Sequence, residues 1–176
     1  MLKHNVIQLI KICLLKAKPQ DVQYSLITLY FIILTNLIIF IYSMGNAVGY
    51  IKGTIIASVF VAVLLVYIFL ILKTFKLKSR FVQTASTILG CSALLIIFGF
   101  ILSVCLLILL SLGVSGQLLS GLSKLLMLAI FFWSIFICGF IYKHALNKGW
   151  FIALTTAIIM LVFANSATIV VRQFMG

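Results

Sequence analysis

Few side chains in this sequence belong to the types that perform acid–base, nucleophilic or metal chemistry. They are two histidines, His4 and His144, one carboxylate, Asp21, and four cysteines. A metalloprotease pairs histidines with a carboxylate, a rhomboid-type protease pairs a serine with a histidine, and phosphoryl transfer uses metal-holding acids or a phosphate-cradling loop. The sequence contains none of these patterns, and both histidines are predicted to lie in solvated segments. We therefore expect no enzyme activity, no catalytic residue, no metal and no other cofactor.

The four cysteines are distributed along the chain without the spacing of a metal or redox motif. The first lies in the N-terminal segment and the others lie inside apolar runs; they are Cys13, Cys91, Cys105 and Cys138. None belongs to a Cys-x-x-Cys pair, the spacing typical of zinc sites and thioredoxin-like motifs. We therefore expect the four thiols to pack as small apolar side chains.

The composition requires an apolar solvent. The sequence is 65% hydrophobic and 8% charged, whereas soluble domains carry roughly 25% charged residues. A water-soluble fold of this size would have too little polar surface, so we predict an integral membrane protein. The formal net charge of +12 is also typical of nucleic-acid-binding proteins. Because the cations flank apolar runs, we assign them to membrane-facing loops and expect no nucleic acid partner.

Five apolar runs are long enough to cross a bilayer. They cover residues 24–44, 54–72, 88–112, 125–142 and 150–171. A helix needs about 20 apolar residues to cross a hydrocarbon core of about 30 Å, and a longer run requires tilt. The predicted fold is all-α: a polytopic bundle of five transmembrane helices in residues 23–176, preceded by an amphipathic interfacial helix in residues 1–22.

The placement of Lys and Arg predicts the orientation of these spans. Between the second and third runs, Lys73, Lys76, Lys78 and Arg80 form a basic cluster that cannot enter hydrocarbon. Five spans place ten cations on the side of the N-terminus and three on the other side. Loops rich in Lys and Arg stay in the cytoplasm, so we predict a cytoplasmic N-terminus and a C-terminus outside. Omitting the short fourth span would weaken this asymmetry.

The N-terminal segment, Met1–Lys18, has the periodicity of an amphipathic helix. Its polar positions are His4, Gln8, Lys11 and Lys18, and its apolar positions are Leu2, Val6, Leu9, Cys13 and Ala17. We predict that it lies along anionic headgroups, with packing against the bundle or a partner as the alternative. Pro19 ends this helix. Asp21 is predicted to cap the first span, or else to pair with a nearby lysine.

Two amides are the main polar groups within the spans. Asn36 lies near the middle of the first run and Asn165 lies in the outer half of the fifth. We expect each amide to bond to a facing helix, which contributes on the order of 1 kcal/mol, with a shared ligand site as the alternative. The five runs contain no Asp, Glu, Lys, Arg or His. That absence from the runs argues against an ion-coupled transporter or a proton pump.

The five-pass plan, with its N-terminus inside and a very short outer tail, resembles the Yip-type family, whose eukaryotic members act in vesicle traffic with Rab GTPases. The residues Lys18-Pro19-Gln20-Asp21, followed by Tyr24-Ser25, resemble the start of small, uncharacterised bacterial inner-membrane proteins. The chain lacks the long polar cytoplasmic segment of the Yip-type pattern. The resemblance therefore implies a membrane topology, and neither GTPase binding nor any site residue.

These observations predict a protein of the bacterial inner membrane that acts by contact, as a scaffold, assembly factor or lipid-organising component. Lys73, Lys76, Lys78 and Arg80 would meet anionic lipid headgroups or an acidic protein partner. One alternative is a permease or channel for a neutral or lipophilic solute, built by oligomerisation around the two asparagines. Another is an accessory subunit of a larger membrane complex. A protein partner or a homo-oligomer is compatible with each function.

Overall fold

A computed structural model describes residues 2–175, and every regular element in that range is helical. The α-helices are α1 Leu2–Cys13, α2 Leu26–Val48, α3 Tyr50–Thr74, α4 Phe81–Ser111, α5 Gly116–Leu146 and α6 Trp150–Phe174. Two short 3₁₀ turns, Pro19–Asp21 and Lys78–Arg80, precede α2 and α4. Helices α2 to α6 are each long and apolar enough to cross a membrane. The predictions of an all-helical fold and of five helices able to span a membrane are confirmed.

The helices extend beyond the predicted runs, most of all in α4 and α5. Each of these two helices has 31 residues, about 46 Å at 1.5 Å per residue, whereas the hydrocarbon core is about 30 Å thick. Hydropathy identifies the apolar part of a helix, but the backbone hydrogen bonds continue past it. Lys124 therefore lies within α5 and not in the predicted loop. The first turns of α5 carry three exposed polar side chains, Gln117, Ser120 and Lys124. Their spacing of three and four residues places them on one face of the helix.

Local sequence explains where the helices begin and end. Ser25 has extended dihedrals, and its hydroxyl accepts a hydrogen bond from the Thr28 backbone N–H at 3.2 Å, which caps α2. The tight connection from α2 to α3 passes through Gly49 at φ +90°, a conformation that only glycine adopts without strain. Asn147, at φ +52°, ends α5 in the left-handed conformation.

The spans pack side by side around one apolar core. Helix α2 packs on α3 and α4, α3 packs on α6, and α5 packs on both α4 and α6. In α4 the buried residues are confined to the segment from Val82 to Ala93, and in α5 all but Leu119 lie between Ile137 and Leu146. The remaining halves of α4 and α5 form a hairpin whose apolar side chains are largely exposed. In a bilayer, lipid tails solvate such surfaces.

The N-terminal helix α1 packs against α4 and contributes to the same core. It ends at Cys13, earlier than predicted, and Leu15 at φ +59° turns the chain back toward Pro19. The buried side chains of α1 are those of Asn5, Leu9 and Ile12. Val6 is exposed, although the sequence predicts it on the apolar face. The predicted faces are therefore right only in part. Leu9 and Ala17 are buried and Lys11 and Lys18 are exposed, as expected, but Val6 is exposed and Asn5 finds polar partners inside the bundle. The side chains of residues 2–4, including that of His4, lie outside the described part of the chain, so the prediction for His4 stays a prediction.

Candidate functional site

Three separate segments meet at one end of the bundle. The Gln20 side-chain amide donates to the His144 backbone carbonyl at 2.9 Å, and Arg80 Nη1 donates to the carbonyls of His144 and Ala145 at 3.3 and 2.8 Å. These bonds join the segment before α2, the α3–α4 connection and the end of α5. We call this region the basic end, and its cations are Lys16, Lys18, Lys73, Lys76, Lys78, Arg80, Lys143 and Lys148.

Arg80 differs from the other members of the predicted basic cluster. Its guanidinium is half-buried and binds the last carbonyls of α5, which lack partners within their own helix. A planar group with several donors suits this position. Arg80 therefore caps α5, and its predicted contact with lipid or a partner stays a prediction. Lys73, Lys76 and Lys78 are exposed.

Asp21, the only acidic residue in the sequence, caps a different element from the one predicted. Its Oδ2 accepts a hydrogen bond from the Lys18 backbone N–H at 2.7 Å within the 3₁₀ turn. The N-cap prediction is wrong because α2 begins later and Ser25 occupies that position. A single carboxylate leaves most of the positive charge at the basic end without a compensating side chain.

Aromatic rings accompany the cations near the start of α6. Lys143 Nζ lies 4.6 Å from the centroid of the Trp150 ring, and Lys148 Nζ lies 5.8 Å from that of Phe75. Both distances are within the range of cation–π attraction. His144 lies in the last turn of α5, half-buried, with its ring 4.6 Å from that of Phe140. It is therefore not the solvated loop histidine that the sequence predicts.

Asn36 forms a polar contact between α2 and α4. Its amide nitrogen donates to the backbone carbonyls of Ile32 and Leu89 at 3.0 and 2.9 Å, and its Oδ1 accepts from the Ser92 hydroxyl at 2.8 Å. Asn36 is 2% exposed. Asn165 is exposed, and its amide donates to the Leu161 carbonyl of its own helix at 2.7 Å. The prediction that each amide bonds to a facing helix is therefore correct for Asn36 and wrong for Asn165, which bonds within its own helix.

The polar residues that attach α1 have no clear signal in the sequence. The Asn5 amide donates to the Thr28 hydroxyl at 3.4 Å, and its Oδ1 accepts from the Gln23 backbone N–H at 3.3 Å. The Trp133 indole N–H donates to the Cys13 carbonyl at 3.1 Å. Asn5, Leu9 and Ile12 have the spacing of one helical face. Because Asn5 is polar, a search for apolar periodicity does not include it in that face.

A narrow groove lies between α1, α2 and α4. Its volume is about 130 Å³, below the 300–1,000 Å³ typical of small-molecule sites. Its lining is largely apolar and includes Val6, Phe31, Leu94 and Ile97. Within residues 2–175, no three His, Cys, Asp or Glu side chains are placed to hold a metal ion.

The helices and their charge distribution define a polytopic α-helical membrane protein with one strongly basic end. No protein-family model, curated protein or solved structure matches the chain. The resemblance to the Yip-type family therefore stays a prediction from topology.

Proposed function

We propose that this protein resides in a bacterial inner membrane and acts by contact, without enzyme activity, as a scaffold, assembly factor or lipid-organising component. In this proposal the basic end faces the cytoplasm, the N-terminus is inside and the C-terminus is outside. The observation that carries the proposal is the exposure of Lys73, Lys76 and Lys78 at the end shared with Lys143 and Lys148. The sequence supplies one carboxylate against thirteen Lys and Arg side chains.

The positive charge of the basic end favours binding to an anionic surface. Each Lys or Arg near an anionic leaflet contributes about 1 kcal/mol of attraction, which fades over a Debye length of about 8 Å at physiological salt. Helix-end lysines on flexible stems can reach headgroups while the helix remains in hydrocarbon. Cation–π contacts orient Lys143 and Lys148 at the same end. An acidic protein surface would satisfy the same charges.

The test neutralises the exposed lysines and leaves the Arg80 cap intact. The triple variant Lys73→Gln/Lys76→Gln/Lys78→Gln, solubilised in mild detergent, is titrated with phosphatidylglycerol or phosphatidylcholine and bound lipid is counted by native mass spectrometry. We expect retention of phosphatidylglycerol to fall several-fold, retention of phosphatidylcholine to be unchanged, and the difference to shrink at high salt. Lys124→Gln, an exposed cation away from the basic end, is the matched control.

Affinity purification of both proteins separates the two kinds of contact. If the triple variant keeps phosphatidylglycerol but loses a co-purifying protein, the contact is with a protein partner, as a scaffold or an accessory subunit requires. If it keeps both lipid and partners at the wild-type level, the assignment of these lysines is wrong.

The permease or channel alternative receives no support from the position of the asparagines. That function requires a water-accessible cavity lined by both amides. Asn36 is packed against α4, and Asn165 bonds within α6 on an exposed face. A pore would have to be built between copies of the chain, with Asn165 supplied by each copy.

A further inference from the structure

Two cysteines from distant parts of the sequence meet where α1 packs on α4. The Cys91 thiol donates to the Leu9 carbonyl oxygen, with 3.9 Å between the sulfur and the oxygen. Leu9 lies one helical turn before Cys13, so both residues are on the side of α1 that packs on α4. Cys13 and Cys91 belong to the same apolar core, with all four cysteines in the reduced form.

The surrounding contacts fix the position of this thiol pair. The Trp133 indole bonds to the Cys13 carbonyl and holds the end of α1 against α5. Leu9 packs directly on Gly90, the neighbour of Cys91, where an added Cβ would lie 2.6 Å from a Leu9 methyl carbon. Both cysteines are therefore presented by packed helices and not by free loops. We propose that Cys13 and Cys91 form a redox site, in which a reversible disulfide ties α1 to α4.

The difference in exposure between the two thiols gives the reaction an order. Cys13 is half-buried, whereas Cys91 is 2% exposed, so an external oxidant reaches Cys13 first. The neighbouring Cys91 thiol lowers the pKa of Cys13, although burial acts in the opposite direction. A lowered pKa favours the thiolate, which is the nucleophilic form.

The oxidant is a low-molecular-weight disulfide. The Cys13 thiolate attacks one of its sulfurs, forming a mixed disulfide and releasing one small thiolate, which takes up a proton. Cys91 then loses its proton and attacks Cys13 Sγ, forming the protein disulfide and releasing the second small thiol. Two protein thiols are oxidised by two electrons, and the small disulfide is reduced to two thiols. An excess of the small thiol reverses both steps.

The experiment exposes the full-length protein in nanodiscs to glutathione disulfide, quenches with acid and measures the intact mass. An internal disulfide lowers the mass by two hydrogens, whereas a mixed disulfide adds one glutathione. We expect the wild type, Cys105→Ser and Cys138→Ser to form the internal disulfide. Cys91→Ser should stop with glutathione on Cys13, and Cys13→Ser should form neither product at that site. Cys105 is exposed on the outer half of α4 and provides the matched control.

The wild-type result is decisive even if a serine variant folds poorly. Peptide mapping without reduction should place the wild-type disulfide between Cys13 and Cys91, and excess glutathione should remove it. Recovery of only mixed disulfides, a protein that stays fully reduced, or a map that pairs either cysteine with Cys138 would overturn the proposal.

Discussion

At the scale of single residues, polar groups decide which helices are joined. Asn36 bonds to the Leu89 carbonyl and the Ser92 hydroxyl of a neighbouring helix, and Arg80 bonds to the free carbonyls at the end of α5. Apolar faces of membrane helices pack against lipid almost as well as against each other, so such bonds favour one arrangement over others. The sequence singles out both residues as polar groups in or beside apolar runs, but it does not show which groups they bond.

We expect Asn36→Ala to lower the free energy of unfolding by about 1 kcal/mol, because the variant loses its bonds to α4. Asn165→Ala is the matched control, since that amide bonds only within its own helix among the contacts described. Its effect should be within a few tenths of a kcal/mol. Reversible unfolding in a mild detergent measures both variants. Equal losses would show that the α2–α4 bonds contribute nothing specific to stability.

At the scale of elements, α1 is attached to the bundle by close contact with α4. The absence of a side chain at Gly90 creates the space that Leu9 fills. Asn5 and Trp133 add hydrogen bonds at the two ends of the contact. Val6, Ile7 and Ile10 remain exposed, so α1 still presents an apolar surface away from the core. Contact with a membrane surface through that side remains a prediction.

We expect Gly90→Leu to displace α1, because a large side chain would occupy the volume of Leu9. Overpacking of this kind costs about 1–3 kcal/mol. Amide hydrogen exchange in residues 5–13 should become roughly tenfold faster or more, since undocking exposes the backbone. Mass spectrometry of peptides from the protein in nanodiscs measures the rate.

The double variant Leu9→Ala/Gly90→Leu supplies a rescue, because removing the Leu9 side chain restores the space. It should recover most of the protection of α1. Gly121→Leu, where no atom lies within 4 Å of an added Cβ, is the matched control. An unchanged exchange rate in Gly90→Leu would contradict the docking of α1 at this glycine.

At the scale of the whole molecule, the predicted orientation in the membrane depends on both the placement of the cations and the number of spans. An odd number of spans places the two termini on opposite sides, and the three segments of the basic end are joined by hydrogen bonds. Because Lys and Arg are retained in the cytoplasm, this end determines the predicted orientation. Lys124 lies well inside α5, but the helix is longer than the hydrocarbon core, so this cation can remain at the headgroups opposite the basic end.

We expect a tag at the N-terminus to be protected and a tag at the C-terminus to be accessible when intact spheroplasts are treated with an impermeant protease. Permeabilised cells, in which both tags should be cleaved, provide the control. Two tags in the same compartment would overturn the five-span orientation and the cytoplasmic assignment of the basic end.

The sequence by itself determined that the chain needs an apolar environment and that it has five runs long enough to span a membrane. The length of an apolar run is a local property, which does not depend on how the helices pack. The sequence also placed Lys73, Lys76 and Lys78 outside the apolar runs. Tertiary structure alone decided that Arg80 caps α5, that Asn5 and Leu9 attach α1, and that the turn of α1 before Cys13 contacts Cys91. The physical reason is that hydropathy is averaged over a helix. The partner of a side chain depends on the rotation and depth of that helix against another, which packing and hydrogen bonds between distant segments determine.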